Sequence, residues 1–360
     1  MKRVFVSDCE GPISKNDNAY ELTSHFVPAG NKLFSIISKY DDVLAGVTKK
    51  RGYNAGDTLK LILPFLKAYD VTDEKMQEFS AQTLLLIAGT QETLTHILST
   101  ADAFIVSTSY EHYIKALCSF VGFPFKNTYC TRLCIDKYKL TPQEKAKLKA
   151  LAKEIASMQI MRIPPNSKSL NDFSAKDQET ICRLNEIFWK EIPDMHCARI
   201  FSEVTTVGGE QKAQAIRDIT KKLGTQLSSV IYVGDSITDV QAFQLVRENG
   251  GLTIAFNGNN YAVENAEVSV LSENNLVTAI IADVFLNHGK DHSLKMLENW
   301  SSENLKQSSI NPLLLNRFFA LFPKALPKVQ IVTSKNREAL IKESSEFRKR
   351  VRGEAVGRLG

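Results

Sequence analysis

Short apolar runs alternate with amphipathic helical stretches along this chain of 360 residues. Four runs have the length and the β-branched content of buried strands, and they lie at Val4–Val6, Ala103–Val106, Val230–Val233 and Leu252–Phe256. Helical patterns follow the second and third runs. Because repeated strand–loop–helix units need crossover connections, the pattern predicts a doubly wound α/β fold built on a parallel, Rossmann-like sheet.

Two long segments interrupt the alternation with helical patterns. Leu59, Ile62 and Leu66 repeat at helical spacing in the first segment, and Thr141 begins a capping box in the second. We therefore expect a core of residues 1–14, 95–136 and 203–285, carrying a helical cap at 15–94. We also expect a second, mostly helical insertion at 137–202 and a helical, basic C-terminal extension at 286–360, read as an appendage.

Polar residues collect where the predicted strands end. These are Asp8 and Glu10 after the first strand, Ser107 and Thr108 after the second, Lys212 at the start of a helix, and Asp235 and Asp239 after the third strand. Ligands of parallel sheets bind outside the carboxyl ends of the strands, so we expect these residues to converge on one crevice. Asp8 and Glu10 should share one small volume, where their like charges require a cation or a proton.

The residue types at these positions suit phosphoryl transfer. Mg²⁺ prefers one or two carboxylates together with water and a substrate phosphate, and hydroxyl and lysine groups donate to phosphate oxygens. One carboxylate can act as a covalent nucleophile while a neighbouring acid protonates the leaving group and then activates water. The residues therefore indicate an enzyme with Mg²⁺ as its cofactor.

Four motifs in order resemble those of the haloacid dehalogenase superfamily of phosphohydrolases, and in detail its phosphoserine phosphatase branch. They are Asp8-Cys9-Glu10-Gly11, Ser107, Lys212, and Gly234-Asp235 through Asp239. The resemblance covers residues of about 1–14, 100–136 and 205–285, and leaves the C-terminal segment uncovered.

The resemblance implies a role for each matching position. Asp8 would be the nucleophile, and Glu10 the general acid and base, with its backbone carbonyl on Mg²⁺. Ser107, together with Thr108 and Lys212, would bind the phosphoryl oxygens, and Lys212 would also stabilise the charge of the transition state. Asp8 and Asp235 would ligate Mg²⁺, with Asp239 as a further ligand or the holder of a bound water.

Two features depart from the pattern of that branch. Glu10 stands where the second acid is usually Asp, and the extra methylene changes the geometry of protonation. Asp17 lies near the position of a substrate-amine-binding acid, but the stretch Thr58–Leu63 has no carboxylate-binding arginine. We therefore expect a small phosphorylated metabolite other than phosphoserine as the substrate.

Two alternatives to a Mg²⁺-dependent phosphatase stay open. Glu10 and the basic tail favour a catalytically weak accessory or assembly protein that docks on a protein partner through the tail. A phosphotransferase or mutase would instead return the phosphoryl group to an organic acceptor.

The tail has eleven Lys or Arg against four Glu from Arg317 onward, within a net charge of +5 for the chain. A solvated terminal helix is the simpler interpretation of this charge run. No aromatic-interleaved basic groove accompanies it, which disfavours nucleic acid as a partner.

Other features of the sequence predict the cellular location of the protein. No apolar stretch approaches the roughly 20 residues of a membrane span. The N-terminus leads at once into a strand, and the six cysteines contain no CxxC pair. We therefore expect a cytoplasmic protein without a membrane partner, whereas nothing in the sequence predicts its oligomeric state.

Overall fold

The computed structural model describes residues 2–165 and 167–359. Its centre is a seven-stranded sheet of order β3-β2-β1-β4-β5-β6-β7. Neighbouring strands are parallel except for the pair β6 and β7, which is antiparallel. The doubly wound α/β fold predicted from the sequence is confirmed. The strands are β1 Val4–Ser7, β2 Asp102–Tyr110, β3 Thr128–Thr131, β4 Val230–Gly234, β5 Leu252–Phe256, β6 Val268–Leu271 and β7 Lys328–Ile331.

In the described residues, eighteen α-helices cover the sheet and form the insertions. They are α1 Asn18–Phe26, α2 Gly30–Asp42, α3 Thr58–Ala68, α4 Asp73–Thr83, α5 Thr90–Thr100, α6 Glu111–Val121, α7 Pro142–Ser157, α8 Ala175–Glu186, α9 Arg199–Glu203, α10 Glu210–Leu223, α11 Val240–Glu248, α12 Asn260–Asn265, α13 Leu276–His288, α14 Lys290–Glu298, α15 Ser302–Gln307, α16 Pro312–Leu321, α17 Arg337–Arg352 and α18 Glu354–Gly357. Helices α2 and α8 run on into π-helical turns at Val43–Val47 and Ile187–Glu191. Short 3₁₀ turns occur at Phe125–Asn127, Ile135–Lys137, Leu170–Asp172, His196–Ala198, Leu227–Ser229 and Ile237–Asp239.

The middle of the sheet positions the predicted site. Strand β1 pairs in parallel with both β2 and β4, and Ser7 lies level with Ile105 and with Val233. The loops that leave these three strands therefore emerge side by side at one edge. All four residues of β1 are buried, because helices cover both faces of the sheet.

The two insertions pack together rather than separately. One apolar cluster contains buried residues of α2 and α3 from the first insertion and of α7 and α8 from the second. Phe188, for example, stacks on Tyr40 with ring centroids 5.9 Å apart and meets Phe65 edge-on at 6.1 Å. The insertions thus form one helical cap with a shared core.

The C-terminal segment departs from the sequence-based expectation of a helical appendage. Its residues Lys328–Ile331 form β7, which pairs with β6 at the edge of the sheet. Leu340, Ser344 and Arg348 of α17 are buried, although the sequence pattern favoured a solvated helix. The sequence pattern did not predict this burial, because most residues of α17 are charged and its buried positions recur only at every fourth residue.

Candidate active site

Asp8 and Lys212 form the centre of the site. The backbone N–H of Asp8 donates to Val233 O over 2.8 Å, which ties the loop after β1 to the end of β4. The ammonium group of Lys212 lies 2.7 Å from Asp8 Oδ2 and 2.7 Å from Asp239 Oδ1. Lys212 enters from the first turn of α10 and is completely buried. Two carboxylates therefore offset the cost of burying its charge.

The surroundings of Asp8 and Lys212 shift the pKa values of both side chains. Burial raises the pKa of Asp8 to about 7, with Lys212 opposing the shift and Asp239 and Asp235 adding to it. Burial alone would lower the pKa of Lys212, but Asp239 and Asp8 outweigh it and raise that pKa above its ordinary value. Lys212 is therefore protonated, and a further cation beside Asp8 would favour its ionised form.

Asp239 has no free acceptor position. Its Oδ1 accepts from Lys212 Nζ and, over 2.6 Å, from the hydroxyl of Tyr232. Its Oδ2 accepts from the backbone N–H groups of residues 235 and 236, over 2.9 and 3.0 Å. Lys212 and these hydrogen bonds overcome the effect of burial and lower the pKa of Asp239. Asp239 is thus engaged in holding Lys212. Its oxygens also lie close to those of Asp8 and Asp235, so its role as a further metal ligand stays a prediction.

Asp235 carries two partners that the motif search missed. Arg348 and Arg352 of α17 both contact Asp235 Oδ2 through their Nη1 atoms, the second over 3.0 Å. Arg348 also donates to the carbonyl of Asp235 over 3.2 Å. The two arginine side chains are only 3% and 4% exposed. A stripe of Leu340, Ser344 and the two arginines, four residues apart, was the sequence signal that could have identified them.

Glu10 lines the same cavity as Asp8, and its carboxylate is held at the start of α1. Strand β1 ends at Ser7, and a turn follows, so the two-residue period of a strand does not continue through Glu10. The carboxylate Oε1 of Glu10 accepts from the backbone N–H of Asn18 over 2.7 Å, at the start of α1. Burial, with Asp17 nearby, raises the pKa of Glu10 well above its ordinary value.

Asp17 is the N-cap of α1. Its Oδ1 accepts from the backbone N–H of Tyr20 over 3.0 Å. Burial raises its pKa, although Arg352 opposes the shift. The side chain predicted as a weak candidate for substrate binding therefore also stabilises the first helix of the cap.

Ser107 and Thr108 differ in what their hydroxyls contact. Ser107 Oγ donates to the hydroxyl of Ser109 over 3.0 Å within the strand end. Thr108 Oγ1 donates to the carbonyl of Val207 over 3.1 Å. Thr108 thereby ties the end of β2 to the segment that leads into α10 and Lys212. Its hydroxyl proton is used in this contact, and its phosphate-binding role stays a prediction.

One small cavity connects the predicted residues. It encloses about 90 Å³, and its lining includes Asp8, Glu10, Asp17, Ser107, Thr108, Asp235, Arg348 and Arg352. Lys212 and Asp239 lie buried behind this lining. Asp41, Asp42 and Thr58 form its wall on the side of the cap. The volume is suited to a phosphoryl group with little beside it.

Three carboxylates in this site are close enough to share an ion. Ligand oxygens of Asp8, Asp235 and Asp239 all lie within 4.8 Å of one another. The loop Asp8–Gly11 also approaches Asp235 so closely that a Cβ atom at Gly11 would overlap its carboxylate, and Gly11 has a φ of +107°. The arrangement can hold a hard cation or a cationic side chain beside the carboxylate of Asp8.

Comparisons with known proteins show what this chain is similar to. A family model described as haloacid dehalogenase-like hydrolase matches residues 73–283, more than half of the chain. The structure of a gene product of Archaeoglobus fulgidus is 25% identical over 100% of this chain and 99% of its own, with a TM-score of 0.80.

More distant matches include two structures of phosphoserine phosphatase. The apo form is 15% identical over 81% of this chain and 100% of its own, with a TM-score of 0.43. The substrate-bound complex is 14% identical over 76% and 95%, with a TM-score of 0.45. The comparison with curated proteins gives no match. None of the helices in the described part of the chain has the length and apolar character to cross a lipid bilayer.

Proposed function

We propose, from the premise that this chain belongs to the haloacid dehalogenase-like hydrolase family, that it hydrolyses a small phosphomonoester through a phospho-aspartate on Asp8. The observation that carries the proposal is the 2.7 Å contact between Asp8 Oδ2 and Lys212 Nζ, at the wall of a cavity that suits a phosphoryl group. A buried lysine beside a buried aspartate stabilises the charge that develops when that aspartate attacks phosphorus.

Each residue then has a defined step. An oxygen of Asp8 bonds to phosphorus as the ester P–O bond breaks, and Lys212 neutralises charge on the transferring group. Glu10 gives its proton to the leaving oxygen, a role supported by the raised pKa of its carboxyl group. Water then attacks the phospho-aspartate, Glu10 takes its proton, and inorganic phosphate leaves. Ser107 lies in the cavity lining, where its hydroxyl can contact phosphoryl oxygens.

The donor set fits Mg²⁺ at two of the proposed ligands. Asp8 and Asp235 supply the carboxylate oxygens that this hard cation prefers, and the backbone carbonyl of Glu10 is a third candidate. Asp239 would act on the site through Lys212, since its own oxygens are engaged. A bound Mg²⁺ would neutralise phosphate charge and lower the repulsion between Asp8 and Asp235.

The size of the cavity supports a small substrate. A volume of about 90 Å³ leaves little room beyond the phosphoryl group, so the rest of the substrate must be small or the cap must move. Asp17, Asp41 and Asp42 lie in the lining, so the part of the substrate next to phosphate would face acidic groups.

A panel of phosphomonoesters assayed with Mg²⁺ tests the proposal. We expect release of inorganic phosphate from at least one small ester, and a loss on the order of 10³-fold or more in Asp8→Asn. Asp70→Asn is the matched control, because Asp70 is exposed and pairs with Lys145 at the surface. Full activity in Asp8→Asn, or no hydrolysis by the wild type of any ester, would contradict the proposal. A phosphorylated acceptor in place of free phosphate would identify a transferase instead.

A further inference from the structure

Three carboxylates of the site pair with cationic side chains of the same chain. Lys212 contacts Asp8 and Asp239, and Arg348 and Arg352 contact Asp235. Three carboxylates therefore meet three cationic groups, all of them almost completely buried. The positive charge at Asp235, the proposed metal ligand, comes from a helix more than a hundred residues later in the chain.

Helix α17 holds these arginines firmly on one face. Ser344, one turn before Arg348, donates to the carbonyl of Gly258 over 2.6 Å. Arg352 donates through Nε to the carbonyl of Lys15 over 3.0 Å and through Nη2 to the carbonyl of Asn16. Arg350, between them in sequence, faces solvent and pairs with Glu273. The inward face of α17 is thus distinct from its basic outer face.

We propose that Arg348 and Arg352 set the affinity of the site for a divalent cation, because their guanidinium groups and the cation compete for the carboxylate of Asp235. Two positive species on one buried carboxylate repel each other strongly, since little water screens them. Coupling between two bound species is reciprocal. A cation at Asp235 must therefore also weaken the interaction of α17 with the site. The proposal rests on the proposed function only for the identity of the cation.

The competition reaches the cap through Arg352. Its carbonyl partners, Lys15 and Asn16, directly precede Asp17, the N-cap of α1. Withdrawal of Arg352 from Asp235 would loosen its link to the segment that joins β1 to the cap. Binding of the cation would then free the first helix of the cap to move.

Isothermal titration of the full-length protein with MgCl₂ alone tests the competition. Arg348→Met keeps the aliphatic stem and removes the charge, and we expect Mg²⁺ to bind about tenfold more tightly or better than to the wild type. Arg350→Met is the matched control and should leave the affinity within about twofold, because an exposed pair contributes little. Equal or weaker Mg²⁺ binding by Arg348→Met would overturn the proposal. So would weaker binding of inorganic phosphate with unchanged Mg²⁺ affinity, which would make Arg348 a substrate ligand.

Hydrogen exchange of the wild-type protein provides the test if Arg348→Met does not fold. Saturating Mg²⁺ should lower the protection of residues 337–352 and of residues 15–18, while the strands of the sheet stay protected. Unchanged or higher protection of α17 would overturn the competition. The ester panel separates the two proposals, since a protein that binds Mg²⁺ in this way without hydrolysing any ester contradicts only the proposed function.

Discussion

Lys212 contacts two carboxylates at the same distance, yet the two are suited to different tasks. Asp239 accepts hydrogen bonds from Lys212, from Tyr232, from two backbone N–H groups and from the hydroxyl of Ser236. The carboxylate of Asp8 accepts from Lys212 and from the backbone N–H of Cys9. Asp239 is therefore fixed in place, whereas Asp8 keeps a free acceptor direction, which the proposed attack on phosphorus would need.

Replacement of Glu10 separates acid catalysis from the folding of the cap. Glu10→Gln keeps an oxygen that can accept from the N–H of Asn18 but has no proton to give. We expect hydrolysis to fall by about 10² to 10⁴-fold for esters with poor leaving groups. For aryl phosphates, whose leaving groups need no protonation, the rate of the first step should fall much less. A uniform loss across both ester types would contradict the role of Glu10 as the acid.

Asp41 gives the cap a pH-dependent stability of unusual sign. Burial raises its pKa to about 7 from 3.8, while hydrogen bonds from Tyr53 and Gly56 oppose the shift. The folded state therefore holds the proton more tightly than the unfolded state. The protonated carboxyl of Asp41 therefore stabilises the folded state. This stabilisation is fully present below pH 4 and is lost as the pH rises through 7.

The raised pKa of Asp41 should lower the free energy of unfolding by up to about 4 kcal/mol at high pH. A difference of one in pKa between the folded and unfolded states corresponds to about 1.4 kcal/mol. Urea unfolding of the wild type and of Asp41→Asn between pH 4 and pH 8 measures this decrease. The stability of the wild type relative to the variant should decline over this range. A constant difference would rule out a raised pKa at Asp41.

At the scale of elements, the end of β2 carries two hydroxyls with separate tasks. Thr108 bonds to Val207 O, so Thr108→Val should lower the stability by about 1 kcal/mol with a small effect on phosphate affinity. Ser107→Ala should weaken the binding of inorganic phosphate several-fold and leave the stability nearly unchanged. Denaturation and phosphate competition on both variants measure this contrast, and the reverse pattern would assign the phosphate contact to Thr108.

The sequence predicted the elements whose patterns are local. Strands β1, β2, β4 and β5 are continuous apolar runs, and the loops after them hold Asp8, Ser107 and Asp235 in the predicted order. The family inferred from those motifs is confirmed by the match to residues 73–283.

Other elements depend on partners far away in the chain. Strand β7 is formed by only four residues, and only Val329 among them is buried, so its pattern is too weak to identify without β6 beside it. The inward face of α17 carries arginines, which normally indicate solvent. Their burial is favourable in the folded protein because the carboxylate of Asp235 and several backbone carbonyls accept from them.

At the scale of the whole molecule, the two insertions should unfold as one unit. Phe188 of the second insertion packs on Tyr40 and Phe65 of the first. We expect Phe188→Ala to lower the free energy of unfolding by about 3 to 5 kcal/mol. It should also lower hydrogen-exchange protection in α2 and α3 as well as in α8.

Phe120→Ala is the control for that substitution, because Phe120 is 64% exposed and should change the stability by less than about 0.5 kcal/mol. If protection in α2 and α3 stays at the wild-type level in Phe188→Ala, the insertions are energetically separate.

The distance in sequence between Asp235 and Arg348 also orders events during synthesis. The acids of the site leave the ribosome first, and the arginine follows 113 residues later. At about 5 to 20 residues per second, roughly 6 to 23 seconds pass between the synthesis of Asp235 and that of Arg348. If Arg348 competes with a cation for Asp235, as proposed above, Asp235 of the growing polypeptide is most accessible to a divalent ion during that interval, and the emergence of α17 ends it.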